Sequence, residues 1–534
     1  MERPVFVMIT LNSQKAIGPR YVVAACQAAG IESHLIHFKL FYSREVSRAK
    51  ARELAEAGEQ FVVRVHPRGH ELVPYPRHAT DEETGLLCDE LKRIEPSIIG
   101  ISFTSVDLAH AEFLTELFHQ ELPGVPVMWG GVHATLNPET CIQCADMVCV
   151  GEGDEVVVEY FAQPDRRDLP GMWFRDGGKI TRNPVRPLIQ DLDRLAFPMF
   201  GGNEIIIDDG RIQTDSRDPA YSISRHYQIV TARGCPFSCT YCLHSELRGL
   251  YKGQRYLRRR SVENVMRELE MRAGQGFFDA FISFFDEVFV KDPEWIQEFA
   301  PLYEKRIGLP FVGYSHAAYT TPEMLRELRR AGMISTTLAF QSGSERMLRD
   351  IYKRPAHLDK VVELAHTIHD EKLVDVLAYE GLTNTPFETE EDCRATFDFL
   401  LRLPAPYYLQ MFELALFPGT RITSLPRLEN PLSEETFRFW NLLYLLTQHA
   451  ELPRDTIRAL ADDPFLRTHI PALEGLAFGL FPNDLAVWLI ETYRQKTYGL
   501  QMARRAAQAP PPPLLRRVLR GVKRRALHLL DPAR

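Results

Sequence analysis

Apolar and polar positions in the first third of the chain repeatedly change period, from short unbroken apolar runs to a helical spacing and back. Val5–Thr10 is such a run and predicts a strand, and Tyr21–Ala29 carries the helical spacing and closes at Gly30. The alternation continues with a strand over Ser33–Phe38, a helix over Glu82–Ile94, a buried strand over Ser97–Phe103 and a helix over Leu108–Glu121. Val125–Trp129 and Met147–Val150 close the series as strands. Short strands separated by helices imply crossover units, so the fold class expected for residues 1–164 is α/β, a doubly wound parallel sheet. Ligands of such sheets lie beyond the carboxyl ends of the strands. Here those ends carry Thr10, Ser102, Thr104, Ser105, Gly130, Gly131, His133 and Gly151.

Between 165 and 220 the pattern breaks into turns at Asp176-Gly177-Gly178, Asn183-Pro184 and Phe197-Pro198, which reads as a connector with one hairpin. A second alternating region covers 221–430. Its strands are expected at Gln228–Ala232, Phe278–Phe285, Pro310–Ser315, Ser335–Phe340, Val374–Tyr379 and Leu409–Leu416. Helical spacing separates them at Val262–Ala273, Glu294–Arg306, Pro322–Arg330, Glu345–Ile351, Leu358–Asp370 and Glu390–Leu401. Such strand–helix units predict a partial, TIM-like (β/α)6 barrel with its chemistry at the C-terminal strand ends. Residues 431–509 read as a helical C-terminal domain, and 510–534 as a proline spacer with a basic amphipathic tail. In 514–530 Leu515, Val518, Leu519, Val522, Ala526 and Leu529 share one helical face, and arginine and lysine fill the remainder.

Composition narrows the class. Of 534 residues, 45% are hydrophobic and 25% charged, as in ordinary globular chains, and a net charge of −8 gives no footprint for nucleic-acid binding. No apolar run spans a bilayer and no secretory signal is evident, so a cytoplasmic monomer is expected. Nine cysteines, an odd number, argue for a reducing compartment over a disulfide framework. The basic tail suggests peripheral contact with anionic lipid at the inner face of the membrane; the alternatives are a solvated face of a docked helix or a mobile tail.

The candidate chemistry is concentrated in Thr231-Ala232-Arg233-Gly234-Cys235-Pro236-Phe237-Ser238-Cys239-Thr240-Tyr241-Cys242. Gly234 and Pro236 on either side of Cys235 disfavour a regular helix, so the thiols are expected on a loop curled around a compact object. Thiolates suit thiophilic metals and iron–sulfur clusters. Buried unliganded cysteines and a structural zinc site completed by His244 remain as alternatives; a conventional electron-transfer cluster would want a fourth cysteine, and none follows before Cys393. Cys141, Cys144 and Cys149 form a second group, with Cys149 expected in the core and packing favoured over a metal for all of them.

The spacing Cys-x-x-x-Cys-x-aromatic-Cys, with Tyr241 as the aromatic, resembles the signature of radical S-adenosylmethionine (SAM) enzymes. The resemblance implies that Cys235, Cys239 and Cys242 hold a [4Fe-4S] cluster whose open iron binds SAM, and that an electron from a flavodoxin- or ferredoxin-type donor cleaves SAM to a 5′-deoxyadenosyl radical. It continues at Phe284-Phe285-Asp286-Glu287, where Asp286 is implied as a SAM contact. At Ala339-Phe340-Gln341-Ser342-Gly343-Ser344, Gln341 stands where relatives usually carry glutamate, and Tyr241, Gln341 and Ser342 are implied as further SAM contacts. Gly381-Leu382-Thr383-Asn384-Thr385-Pro386 and Phe417-Pro418-Gly419-Thr420 resemble later family loops. Ahead of this core, Gly130-Gly131-Val132-His133-Ala134-Thr135 and Gly151-Glu152-Gly153-Asp154-Glu155 resemble the cobalamin-binding domain often fused to it. That resemblance implies cobalamin contacts from Ser102, Thr104, Gly130, Gly131, His133, Gly151, Glu152 and Gly153. No Asp-x-His-x-x-Gly motif supplies a cobalt histidine, and a domain of this fold without its cofactor is the alternative. The leading reading is a cobalamin-dependent radical SAM methyltransferase acting on a small or lipid-like metabolite. A radical SAM cyclase or rearrangement enzyme of tetrapyrrole or secondary metabolism is the second reading, and a non-catalytic cobalamin- or metal-binding module the third.

Overall fold

In a computed structural model of the chain the described residues are 4–12, 16–39, 44–45, 61–66, 69–74, 79–208, 210–214, 226–277, 281–355, 357–450, 452–470 and 473. The proline spacer and the basic segment 514–530 lie outside them.

The first sheet is built from β1 (Val5–Leu11), β2 (Glu32–Phe38), β6 (Ile98–Ser102), β7 (Val127–Gly130), β8 (Met147–Cys149), β9 (Met172–Asp176), β10 (Lys179–Thr181), β11 (Glu204–Asp208) and β12 (Arg211–Gln213). A separate small sheet holds β3 (Arg44–Glu45), β4 (Phe61–His66) and β5 (Gly69–Pro74). The large sheet runs β10-β9-β8-β7-β6-β1-β2-β11-β12; β8 through β11 in that order are parallel, and the outer strands are antiparallel. Alternate side chains of β1 enter different cores. Val7, Ile9 and Leu11 pack with Leu87, Leu114 and Trp129, whereas Phe6 and Met8 pack with Val23, Val156 and Tyr160. Burial on both faces is why these strands read as unbroken apolar runs. Two hairpins, β9–β10 and β11–β12, stand where the turn-rich pattern suggests one, and both extend the first sheet. A buried ion pair, Arg20 with Glu204, and a 2.8 Å contact from His37 Nε2 to the same Glu204 oxygen tie β11 to β2 and the helix Ile17–Ala28.

The second sheet contains β13 (His226–Ile229), β16 (Phe281–Phe284), β17 (Phe311–Ser315), β18 (Met333–Gln341), β19 (Val376–Thr383) and β20 (Tyr408–Glu413), adjacent in that order and all parallel. Helices Val262–Gly274, Pro293–Arg306, Pro322–Ala331, Leu358–Glu371 and Glu390–Leu401 connect them, close to the expected bounds. The helix expected over Glu345–Ile351 is instead a five-residue π-helical turn, Met347–Ile351. The bonds Tyr352 N to Met347 O and Arg354 N to Leu348 O, both 2.8 Å, wind it wide, and Lys353 at φ 50° stops it. Between β13 and β16, a short ribbon of β14 (Ala232–Arg233) and β15 (Arg258–Arg259) brackets the cysteine loop. The helix Glu434–Leu446 packs Trp440, Leu443 and Tyr444 onto the second core. Among the described residues no helix is long and apolar enough to cross a membrane.

The loop after β19 buries Glu388 with its Oε2 unpartnered, and this burial pushes its carboxyl up to about 8. A raised carboxyl pKa favours the folded state in acid, and that contribution is lost as pH rises from the ordinary carboxylate range through about 8. Glu388→Gln is expected to flatten the stability profile, gaining on the order of a few kcal/mol over the parent at pH 8.5 and little at pH 5. Urea midpoints at both pH values check this; equal shifts at both would sink it.

Candidate functional site

The cysteine loop leaves β14 at Gly234, whose φ of 96° suits glycine and whose missing Cβ would lie 2.4 Å from Tyr256 O on the returning segment. Neighbours then fix each turn. Arg248 Nη2 donates to Cys235 O at 2.6 Å, Thr240 N donates to Tyr352 O at 2.9 Å, and Ile422 N donates to Thr240 O at 3.0 Å. Cys242 forms the N-cap of the helix Leu243–Leu250. As expected from Gly234 and Pro236, the thiols lie on a loop.

All three thiols line a cavity of about 270 Å³ at the C-terminal end of the second sheet, together with Phe237, Tyr241, Glu287, His316, Gln341, Arg354 and Glu380. Burial pushes the Cys235 thiol up to about 11 and the Cys242 thiol up to about 12. Arg354 is buried, yet among the described residues it forms no ion pair with a carboxylate; its Nη2 donates to Ala339 O at 2.8 Å and its Nη1 to Cys239 Sγ at 3.7 Å. Among the described residues no three histidine, cysteine or acidic side chains converge as a mononuclear metal site requires. His244, the fourth ligand zinc would need, is instead bonded through Nδ1 to Tyr256 Oη at 2.6 Å and through Nε2 to Glu287 at 3.1 Å. An open set of three thiols facing a buried cation suits an anionic cluster that leaves one corner to another ligand.

Two residues implied as SAM contacts have other occupations. Asp286 is 2% exposed, and its carboxylate accepts from Thr231 N at 2.6 Å, from Ala232 N at 3.1 Å and from Thr231 Oγ1. It anchors the strand that delivers the cysteine loop, and Glu287 is the acid of the pair whose side chain stays half-exposed. Ser342 lies outside the cavity wall: its hydroxyl accepts from Ser344 N at 3.1 Å and meets Thr396 Oγ1 at 3.4 Å, inside the turn after β18. Asp286, Tyr241 and Gln341 line the cavity.

A larger cavity of about 740 Å³ opens between the C-terminal strand ends of the two sheets. Ser102, Gly130, Gly131, Gly151, Glu152 and Gly153 wall it from the first sheet; Ala232, Arg233, Leu243, Leu247, Tyr251 and Tyr256 wall it from the second. The volume suits a bulky ligand. At Gly18, also in its wall, an added Cβ would meet nothing within 4 Å. Thr104 and His133 are not in the wall. Thr104 Oγ1 donates to Asp107 at 3.0 Å to start a turn. His133, carried on the short helix Val132–Leu136, is 3% exposed, bonds Ser105 Oγ at 2.8 Å and packs on Phe103; burial lowers its pKa. Glu152 reaches the wall, but its carboxylate is taken by Arg258 at 2.8 and 2.9 Å, by Arg233 at 3.3 Å and by Ile189 N at 3.0 Å.

That network joins the two halves. Arg233, two residues before Cys235, forms a paired contact with Asp154 at 2.8 and 2.9 Å and lies over the Tyr21 ring at 5.0 Å. The two cavities also share His244, Phe285 and Glu287. Cys141 and Cys149 lie in the two cores of the first sheet, with Cys144 packed beside Cys141, as packing predicts. Arg233 and Asp154 stand inside the motif segments quoted above without a role of their own, whereas nothing in the sequence singles out His316 or Arg354.

Residues 229–400 match the family model for the radical SAM superfamily, and residues 69–161 match that for the B12 binding domain. An uncharacterized methyltransferase of Pyrococcus horikoshii is 25% identical over 62% of this chain and 70% of its own length. An anaerobic magnesium-protoporphyrin IX monomethyl ester cyclase of Cereibacter sphaeroides is 24% identical over 59% of this chain, which spans only 51% of that relative. The solved structure of the methyltransferase TsrM from Kitasatospora setae, with cobalamin and a [4Fe-4S] cluster bound, shares the fold with a TM-score of 0.57 at 15% identity, covering 79% of this chain and 74% of that one.

Proposed function

Because the chain joins a B12-binding domain to a radical SAM domain, we propose that it is a cobalamin-dependent radical SAM enzyme that methylates an unactivated carbon of a small or lipid-like molecule. We read the first sheet as the doubly wound cobalamin-binding type and the second as a partial (β/α)6 barrel. The observation that carries the reading is the pair of cavities that share a wall, one lined by three thiols and one at the strand ends of both sheets. Cys235, Cys239 and Cys242 would hold the [4Fe-4S] cluster, with SAM beside it against Tyr241, Gln341 and Glu287. The larger cavity would hold cobalamin over Gly130, Gly131, Gly151 and Gly153. When bound, these groups supply a hydrogen-abstracting 5′-deoxyadenosyl radical and a transferable methyl group, given an electron from a flavodoxin- or ferredoxin-type donor.

The chain's own residues position and shield. Asp286 fixes the start of the cysteine loop, and Phe237 and Val288 pack around Cys235 and Cys239 to keep solvent from the thiols. Phe285, His244 and Glu287 stand where both cavities meet, so a substrate carbon reaching both compartments passes against them. Anaerobic reconstitution with iron and sulfide, followed by optical and paramagnetic spectra with and without cobalamin, tests both cofactors before a substrate is known. With the true substrate, methylation is expected to release 5′-deoxyadenosine and S-adenosylhomocysteine together; deoxyadenosine without the homocysteine product would refute methyl transfer. The cyclase among the relatives favours a second reading, ring formation without methylation, and product mass separates the two.

A further inference from the structure

We propose that Arg354 and His316 are the hydrogen-bond donors that set the reduction potential of the cluster held by Cys235, Cys239 and Cys242. This rests on the cluster reading above and goes beyond it, since neither residue belongs to the cysteine motif.

Arg354 presents an electrostatic problem whose solution is informative. A guanidinium removed from water is stable only beside a compensating charge. The hydrogen bonds of Arg354 go to a carbonyl, Ala339 O at 2.8 Å, and to a thiol, Cys239 Sγ at 3.7 Å, and the side chain lies over the Phe237 ring at 5.3 Å. None of these supplies a negative charge while the thiols are protonated. A thiolate-ligated cluster in the same cavity does, and Arg354 Nη1 already points its proton at one of the sulfurs.

His316, the residue after β17, packs against the same loop. Its ring lies 4.2 Å from that of Phe237, and its Nδ1 accepts from Ala318 N at 3.1 Å. An Nδ1 that accepts a backbone proton carries none of its own, so the neutral ring bears its hydrogen on Nε2. Burial, with Arg354 and His357 nearby, lowers the pKa of His316 to about 3, in keeping with a neutral ring. Among the described residues Nε2 has no hydrogen-bond partner, yet it is not among the buried unpaired atoms, and His316 lines the thiol cavity. The open donor of His316 therefore faces that cavity.

Reduction adds an electron to a buried anionic group, so donors and a cation aimed at its sulfurs stabilise the reduced form and raise the potential. Arg354→Met and His316→Phe each remove the donor while keeping bulk, the second preserving the stack on Phe237. Arg354→Lys and His316→Gln restore a donor. The experiment is anaerobic redox titration of the reconstituted holoenzyme, read by the paramagnetic signal of the reduced cluster, with iron content and circular dichroism of each variant alongside. The expected result is a midpoint shifted to lower potential in Arg354→Met and in His316→Phe at unchanged iron content, with recovery toward the parent in the donor-restoring variants. Unchanged midpoints in both donor-removing variants would overturn the proposal. So would a Arg354→Met protein that keeps the parent midpoint but loses affinity for SAM, because Arg354 would then serve the SAM carboxylate. A parent protein that takes up no iron would instead overturn the cluster reading on which the proposal rests.

Discussion

Serine in place of Cys235, Cys239 or Cys242 is expected to lower bound iron and to cut reductive cleavage of SAM by more than about 100-fold, since loss even of partners behind a metal ligand costs about 10–100-fold. Each thiol lines the same cavity, and none has a cysteine neighbour that could replace it: Cys393 is buried in the second core, and Cys141 and Cys149 are buried in the cores on either face of the first sheet. Cys141→Ser is therefore the matched control, expected to keep both iron and cleavage. Iron per chain and 5′-deoxyadenosine released under dithionite are the measurements. A Cys239→Ser protein with parental values of both would detach the thiol cavity from the chemistry.

The second large effect is expected at the junction of the two sheets. Arg233→Ala leaves the Asp154 carboxylate, whose side chain is 5% exposed, without its paired guanidinium. Removing one partner of a buried ion pair costs about 3–5 kcal/mol because the remaining charge is stranded. Arg233 is itself 20% exposed, so a loss of about 3 kcal/mol, the lower end, is the expected value. Adding Asp154→Ala removes the stranded charge and is expected to recover part of the loss. Urea unfolding of parent, single and double variants reads both quantities. A single variant as stable as the parent, or a double variant less stable than the single, contradicts this account of the junction.

Much of the fold is legible from residue patterns because the two-sided burial of β1 and β6 leaves a local trace, an apolar run of strand length. Gly234 and Pro236 likewise marked the cysteine loop as a loop. What stayed hidden depends on partners remote in sequence. Asp286 looks like a ligand-facing acid until Thr231 and Ala232, more than fifty positions earlier, are seen to occupy its oxygens. Arg354 meets Cys239 across 115 positions, and no periodicity announces that encounter. His133 follows two glycines at a strand end, the right place for a cofactor contact, but one short helical turn rotates it onto Phe103 and Ser105. Glu152 is at its expected place with its charge already claimed by Arg258, which lies 106 positions later.

Phe285 and Glu287 bound both compartments, and this constrains how the enzyme can be retuned. A larger or smaller side chain there alters the thiol chamber and the wide chamber in one stroke, so selectivity for a new acceptor molecule cannot be adjusted at that wall without also disturbing the neighbouring reaction partner. Leu188, Leu247 and Val132 line the wide chamber alone. Substitutions at those three positions retune the fit of the wide chamber's occupant and leave the thiol chamber as it is.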